Sequence, residues 1–151
     1  MTVFVVLIAL VLDRATKYLA QRFLAGEASI PIIKGVLQLT YTRNTGAAFS
    51  IFSGHPKALG WFTLIVCAGL IVFLYRQKKA NPSKKLYQLS LAMILGGAFG
   101  NMIDRFLYGY VIDFVDLIII NFAVFNVADM FITVGGVIFC CCLVFDREIK
   151  L

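Results

Sequence analysis

The sequence predicts an all-α membrane protein with four transmembrane helices and a small extracytoplasmic β element. Of its 151 residues, 61% are hydrophobic and 15% are charged, and the mean hydropathy is +0.91. Soluble domains average about 45–50% apolar and about 25% charged residues, so this composition argues against a soluble globule and also excludes a disordered chain. Four apolar segments approach the roughly 20 residues that a membrane helix needs.

The four predicted helices leave little besides three connections, so a single integral membrane domain, residues 1–151, is expected. The first helix opens with the apolar run Val3–Leu12. Asp13, Arg14 and Lys17 then interrupt it where cleaved signal peptides stay apolar, so we expect a retained helix. The predicted spans are about 2–23, 59–75, 86–103 and 125–145.

The connection between the second and third helices indicates the orientation. Residues 76–85 carry five Lys or Arg and no acid, and short loops rich in positive charge stay in the cytoplasm. Four spans then place both termini in the cytoplasm and the loops 25–58 and 104–121 outside. The net charge of +6 is interpreted mainly as a topology signal. No stacking aromatics accompany the basic run, so nucleic acid is not an expected partner.

The outer loop, residues 25–58, contains the predicted β element. Residues 30–42 mix β-branched side chains with partial alternation, and Lys34-Gly35 suits a turn between two short strands. Further along, Asn44-Thr-Gly46-Ala-Ala-Phe-Ser50 is an ordinary turn signal by itself, in which Gly46 permits a tight turn. We expect a small sheet resting at the membrane surface.

Two groups of polar residues lie within or at the end of predicted helices. Asp13 and Lys17 are spaced i,i+4, which predicts an internal ion pair on one face of the first helix. In residues 96–105, glycines favour close helix contact, and Asn101 and Arg105 share a face with one of them. Arg105 either anchors the helix at the interface or contacts a lipid phosphate or a substrate carbonyl.

The most informative acids are Asp113 and Asp129, which stand in apolar surroundings near the predicted outer membrane boundary. Asn126-x-x-Asp129 at a helix start also fits a capping box, and this alternative stays open. If the two carboxylates converge, they share a proton and can together activate a water and protonate a leaving group. Asp104 and Asp116 are interpreted as boundary residues.

Other reactive side chains give no comparable signal. Cys67 and the consecutive Cys140–Cys142 lack the spacing of zinc ligands, and His55 has no cysteine or acid nearby in the sequence. We therefore expect no metal and no cofactor. From the residues alone, an aspartic protease, a proton-coupled carrier and a non-enzymatic assembly subunit stay open.

Five motifs, in order along essentially the whole chain, resemble those of the bacterial lipoprotein signal peptidases (signal peptidase II). Each motif is modest alone, but five in this order and on the predicted side of the membrane are highly specific. They are Asp13-x-x-Thr16-Lys17, Asn44-Thr-Gly-Ala-Ala-Phe, Gly97-Ala-Phe-Gly-Asn101-x-x-Asp104-Arg105, Val-Ile-Asp113-Phe and Phe-Asn126-Val-Ala-Asp129.

The resemblance implies an aspartic endopeptidase of the bacterial cell membrane. Its substrates would be prolipoproteins that carry a diacylglyceryl group, cut just before the lipidated cysteine. Asp113 and Asp129 match the catalytic dyad, and the β element would cradle the substrate above it, with the lipid among the helices of a monomer. One departure is Met130, because the family commonly has serine there. The matching supporting or substrate-binding residues are Asp13, Lys17, Asn44, Gly46, Asn101, Arg105 and Asn126.

Overall fold

The computed structural model describes residues 1–46, 54–146 and 148–149 of the chain. Within these ranges the chain forms four long helices and one antiparallel sheet of three strands, and a 3-10 turn, Ile118–Ile120, follows the last strand. In chain order the elements are α1 (Thr2–Leu24), β1 (Ile30–Ile33), β2 (Leu37–Asn44), α2 (Pro56–Ala80), α3 (Lys85–Leu107), β3 (Val111–Leu117) and α4 (Val127–Phe145).

Three of the described helices, α2, α3 and α4, are long and apolar enough to cross a membrane, by length and composition only. The sequence predicts four such spans, and α1 differs because Asp13, Arg14 and Lys17 interrupt its apolar stretch. Asp13 and Lys17 are buried inside the protein, so most of the outward surface of α1 is still apolar. The exposed apolar side chains of α1 include Phe4, Leu7, Val11 and Leu19.

The helix ends follow local signals in the sequence. Pro56 occupies the first turn of α2, where its missing N–H costs nothing, and the helix continues through a basic segment to Ala80, five residues beyond the predicted span. Helix α4 begins at Val127 because Asn126 is its N-cap, two residues later than the apolar pattern predicts.

Helix α3 is central, since it packs against α1, α2 and α4. Glycines at its contacts allow the close approach. A Cβ on Gly96 would lie 2.7 Å from the Cβ of Ala9, and a Cβ on Gly97 would overlap the carbonyl oxygen of Ala128. The predicted role of these glycines in close helix contact is therefore confirmed, and it brings the polar residues of α1, α3 and α4 to a common level.

The sheet has the order β1-β2-β3, with both neighbouring pairs antiparallel. The predicted hairpin around Lys34-Gly35 is confirmed, and Gly35 has the positive φ of +75° that favours glycine. The third strand, Val111–Leu117, lies within the predicted loop 104–121, so the sequence does not predict it. It is buried from Val111 to Val115, so it lacks the alternation of a half-exposed strand.

An apolar cluster holds the sheet against the helices. Ala20 and Leu24, in the last two turns of α1, pack with Ile112, Phe114 and Val115 of β3. Asp113 stands between Ile112 and Phe114 in this buried strand, so the same packing fixes its position.

Candidate active site

The structure brings all nine predicted site residues into one hydrogen-bonded network. Each of them contacts at least one other member, although they come from α1, β2, α3, β3 and α4 and from the segment after β2. Residues 47–50, the rest of the predicted Asn44–Ser50 motif, lie outside the described residues. The network contains Asp13, Lys17, Asn44, Gly46, Asn101, Arg105, Asp113, Asn126 and Asp129.

Asn126 connects the two acids. Its Nδ2 donates to Asp113 Oδ1 at 2.6 Å, and its Oδ1 accepts from the backbone N–H of Asp129 at 3.0 Å. The backbone N–H of Asn126 donates in turn to Asp129 Oδ2 at 3.1 Å. The predicted capping box is therefore confirmed. Asn126 thus donates to both carboxylates, to Asp113 from its side chain and to Asp129 from its backbone.

Two further asparagines hold the other oxygens of these acids. Asn44 Nδ2 donates to Asp113 Oδ2 at 2.9 Å, and Asn101 Nδ2 donates to Asp129 Oδ1 at 2.7 Å. Each carboxylate thus accepts two N–H donors, which fix its plane. Among the described residues neither acid forms an ion pair, so both are oriented by neutral donors.

Burial changes the acidity of Asp113, which is 2% exposed. Loss of hydration raises the pKa of its carboxyl from 3.8 to about 6, the hydrogen bond from Asn44 opposes this rise, and the nearby charge of Asp129 adds to it. A carboxyl with a pKa near 6 exchanges its proton close to neutral pH, as general acid–base chemistry requires.

A cluster of charges lies behind the acids. The predicted ion pair is confirmed, since Lys17 Nζ is 2.9 Å from Asp13 Oδ1. The same ammonium is 2.7 Å from Asp104 Oδ2 and donates to Asn101 Oδ1 at 2.9 Å. Asp13 Oδ1 also accepts from the backbone N–H of Ala128 in the first turn of α4, at 3.2 Å.

The interpretation of Asp104 as a boundary residue is wrong. Its side chain has no exposed surface and accepts from both Lys17 and Arg14. The sequence placed it at a predicted helix end, where acids commonly meet water. The signal that could have revealed its role is Arg14, a second cation next to Asp13 that needed an acidic partner.

Arg105 contacts the chain's own backbone. Its Nη2 donates to the carbonyl oxygen of Gly46 at 2.9 Å, and its Nη1 donates to that of Asn101 at 3.3 Å. The side chain is buried, so it does not serve as an anchor at the membrane surface. Arg105 instead fixes the backbone at Gly46, just after the end of β2.

A cavity of about 480 Å³ opens beside Asp113 and Asp129. Asn44, Asn101 and Arg105 line its polar part, and the loop after β3 and helix α4 supply apolar walls. Met130, in the position where serine was expected, lines the cavity and is 38% exposed. Other apolar lining residues are Phe122, Val124, Phe125, Ile132 and Val134.

Known proteins match this chain over nearly its full length. Residues 5–145 match the family described as "Signal peptidase (SPase) II". The lipoprotein signal peptidase of Microcystis aeruginosa is 50% identical over 132 residues, which are 87% of this chain and 83% of that protein. The lipoprotein signal peptidase of Caldanaerobacter subterraneus is 44% identical over 150 residues, which are 99% of this chain and 100% of the relative.

Solved structures agree with these relatives. A bacterial membrane enzyme determined by the in meso method has a TM-score of 0.87 at 31% identity, with 99% of this chain and 91% of the other covered. A second such enzyme has a TM-score of 0.84 at 30% identity, with 97% and 94% covered.

The apolar helices, the small sheet and the family match define a membrane peptidase of the aspartic class. This class sets aside the carrier and the assembly subunit. The chain belongs to the signal peptidase II family, the lipoprotein signal peptidases, and is a hydrolase of lipoprotein processing.

Proposed function

We propose that this enzyme cuts diacylglyceryl-modified prolipoproteins just before the lipidated cysteine, with Asp113 and Asp129 as its catalytic residues. The observation that carries the proposal is the bridge through Asn126, which holds both carboxylates beside one cavity. Family membership supports the prolipoprotein as substrate. Two acids that are hydrogen-bonded to one residue and line one cavity can act together on one peptide bond.

The reaction needs one proton on the pair. The ionised carboxylate takes a proton from water, whose oxygen attacks the scissile carbonyl carbon while the protonated acid donates to the carbonyl oxygen. The resulting tetrahedral intermediate collapses when the acid that took the water proton gives it to the cysteine nitrogen, a hydroxyl of the intermediate returns its proton to the other carboxylate, and the C–N bond breaks. The pair is then left with a single proton again. Because coupled acids titrate as a unit, these protons belong to the pair.

The surrounding amides keep the pair in place without neutralising it. Asn44, Asn101 and Asn126 donate to the carboxylate oxygens, and the bonds from Asn44 and Asn126 orient Asp113 while holding its pKa below the value that burial alone would give. Lys17 with Asp13 fixes α1 against the start of α4, and Arg105 holds Gly46 above the cavity. These contacts are the proposed roles of the supporting residues.

The apolar part of the cavity suits the lipid. Its α4 wall, formed by Met130, Ile132 and Val134, runs from Asp129 along an apolar helix. Diacylglyceryl chains entering between this wall and Phe122 would bury hydrocarbon while the peptide bond stays at the acids. The sheet would then lie above the substrate, in an enzyme that acts as a monomer.

We further propose that all four helices span the membrane, with both termini cytoplasmic and the acids on the outer side. The charges of α1 that interrupt its apolar stretch are paired within the protein, which lowers the cost of placing them in a bilayer. The basic loop 76–85 supports the cytoplasmic side for the connection of α2 and α3.

The experiment that tests this function compares two forms of one prolipoprotein, with and without the diacylglyceryl group, each incubated with the purified enzyme in detergent. We expect the lipidated form to be cut at least about a hundredfold faster, because the lipid places the peptide bond at the acids. Mass spectrometry of the product should find the lipidated cysteine at its new N-terminus. Equal cleavage of both forms, or cleavage at another bond, would contradict the proposal.

A further inference from the structure

Arg14 contacts two buried acids, and the proposed mechanism gives this cation no role. Its Nη2 lies 2.5 Å from Asp104 Oδ1 and 3.1 Å from Asp13 Oδ2, and it also donates to the carbonyl oxygen of Gly100 at 3.2 Å. Both acids are fully buried, whereas about a third of the Arg14 side chain is exposed. Arg14 therefore covers the two buried acids on the side where the charge cluster reaches the protein surface.

The described charges around the two catalytic acids nearly balance. Helix α1 contributes one acid and two cations, α3 contributes one acid and one cation, and β3 and α4 contribute one acid each. With every acid ionised, four negative charges face three positive charges. With a single proton on the catalytic pair, the total is zero. The seven groups are Asp13, Arg14, Lys17, Asp104, Arg105, Asp113 and Asp129.

We propose that Arg14 is a positioning residue that keeps this site electrically neutral when Asp113 and Asp129 hold one proton between them. This inference rests on the proposed function, because neutrality matters only if the singly protonated pair is the working state. Arg14 contacts neither Asp113 nor Asp129. It acts through its contacts with Asp13 and Asp104.

A continuous series of short contacts leads from Arg14 to Asp129. Arg14 binds one oxygen of Asp104, and the other oxygen is 2.7 Å from Lys17 Nζ. Lys17 donates to Asn101 at 2.9 Å, and Asn101 donates to Asp129 at 2.7 Å. Charges in such buried surroundings are weakly screened, so an unbalanced charge at Asp104 acts on the pair over this distance.

Arg14→Gln removes the charge and keeps a hydrogen-bond donor. The site then carries one extra negative charge, which favours a second proton on the catalytic pair. The low-pH limb of the rate profile, where activity rises as that proton leaves, is expected to move up by about one pH unit. At a pH on this limb, kcat/KM falls about tenfold and recovers at higher pH. Arg14→Lys keeps the charge and should keep the wild-type limb.

Asp104→Asn supplies the opposite change. It removes one negative charge, so the limb is expected to move to lower pH. The double variant R14Q/D104N restores the charge balance, and its limb should return to the wild-type position even if its maximal rate is lower. A purely structural role for Arg14 would lower the rate in all variants without this reversal of sign.

The test measures kcat/KM for the lipidated prolipoprotein from pH 4.5 to 9 in wild type, R14Q, R14K, D104N and R14Q/D104N. An upward shift in R14Q, with the wild-type position in R14K and the double variant, supports the inference. An unshifted R14Q, or an R14K shifted like R14Q, overturns it. If R14Q does not fold, D104N against the double variant decides, since equal limbs in these two would overturn it.

The two proposals fail in different ways. If Asp113→Asn retains wild-type turnover, the proposed function fails before Arg14 is tested. If turnover depends on Asp113 and Asp129 but the low-pH limb does not shift when the charge of Arg14 is removed, only the inference fails.

Discussion

Replacing either Asp113 or Asp129 with asparagine is expected to reduce turnover of a lipidated prolipoprotein by about a thousandfold or more. Asparagine keeps the size of the side chain and can still hydrogen-bond with Asn126, but it can neither take a proton from water nor give one to the carbonyl. General acid–base steps contribute about 10²–10⁴ in rate, and a single remaining carboxyl cannot act as base and acid in the same step. Single-turnover cleavage in detergent measures the loss.

Asp116→Asn is the matched control. Asp116 lies in the same strand as Asp113, and its Oδ2 accepts from Gln38 Nε2 at 2.7 Å on the sheet, away from the catalytic pair. We expect turnover within about threefold of wild type, because Asp116 is partly exposed and the change removes only its charge. Asp104→Asn does not serve as a control, because Asp104 is buried in the charge cluster. Wild-type turnover in D113N or D129N would contradict the catalytic role.

Lys17→Met is expected to destabilise the fold by about 3–5 kcal/mol, the cost of breaking a buried ion pair. Lys17 is 1% exposed, and its ammonium lies within 2.9 Å of Asp13 and Asp104. Methionine fills the same volume but leaves the Lys17 side of both buried carboxylates without a cation. Reversible unfolding in mixed micelles measures the difference.

Lys84→Met provides the comparison for this change. Lys84 also contacts two acids, Asp146 and Glu148, each at 2.8 Å. Glu148 is 85% exposed there, so water solvates these charges when the lysine is removed. We expect its unfolding midpoint to match wild type. An unchanged midpoint in K17M would show that the buried contacts of Lys17 with Asp104 and Asn101 do not hold α1 against α3.

Local features of the site were predictable from sequence. The i,i+4 spacing of Asp13 and Lys17 places both on one helix face whatever the rest of the fold does. Asn126 and Asp129 are three residues apart at a helix start, and this spacing predicts a capping box. The apolar patterns predict the helices. The family resemblance predicts that the separate motifs form one site.

Features that depend on distant partners were not predictable in the same way. Strand β3 is buried and pairs with β2, about 70 residues earlier, so neither alternation nor a nearby turn marks it. The burial of Asp104 follows from the register of α3 against α1, which brings it to Lys17 and Arg14. The charges of α1 were visible, but only packing shows that Asp13 and Lys17 face inward.

The central claim is that Asp113 and Asp129 act with one proton between them, and the wild-type pH profile of kcat/KM tests it most directly. The charge of Asp129 helps to raise the pKa of Asp113 to about 6, so the proton on Asp113 is the one that the pair keeps longest, and activity should fall through about pH 6 as it leaves. Activity should rise at lower pH, where the pair passes from two protons to one. A bell-shaped profile is therefore predicted, and a rate that stays constant or rises steadily from pH 5 to pH 9 would contradict the claim.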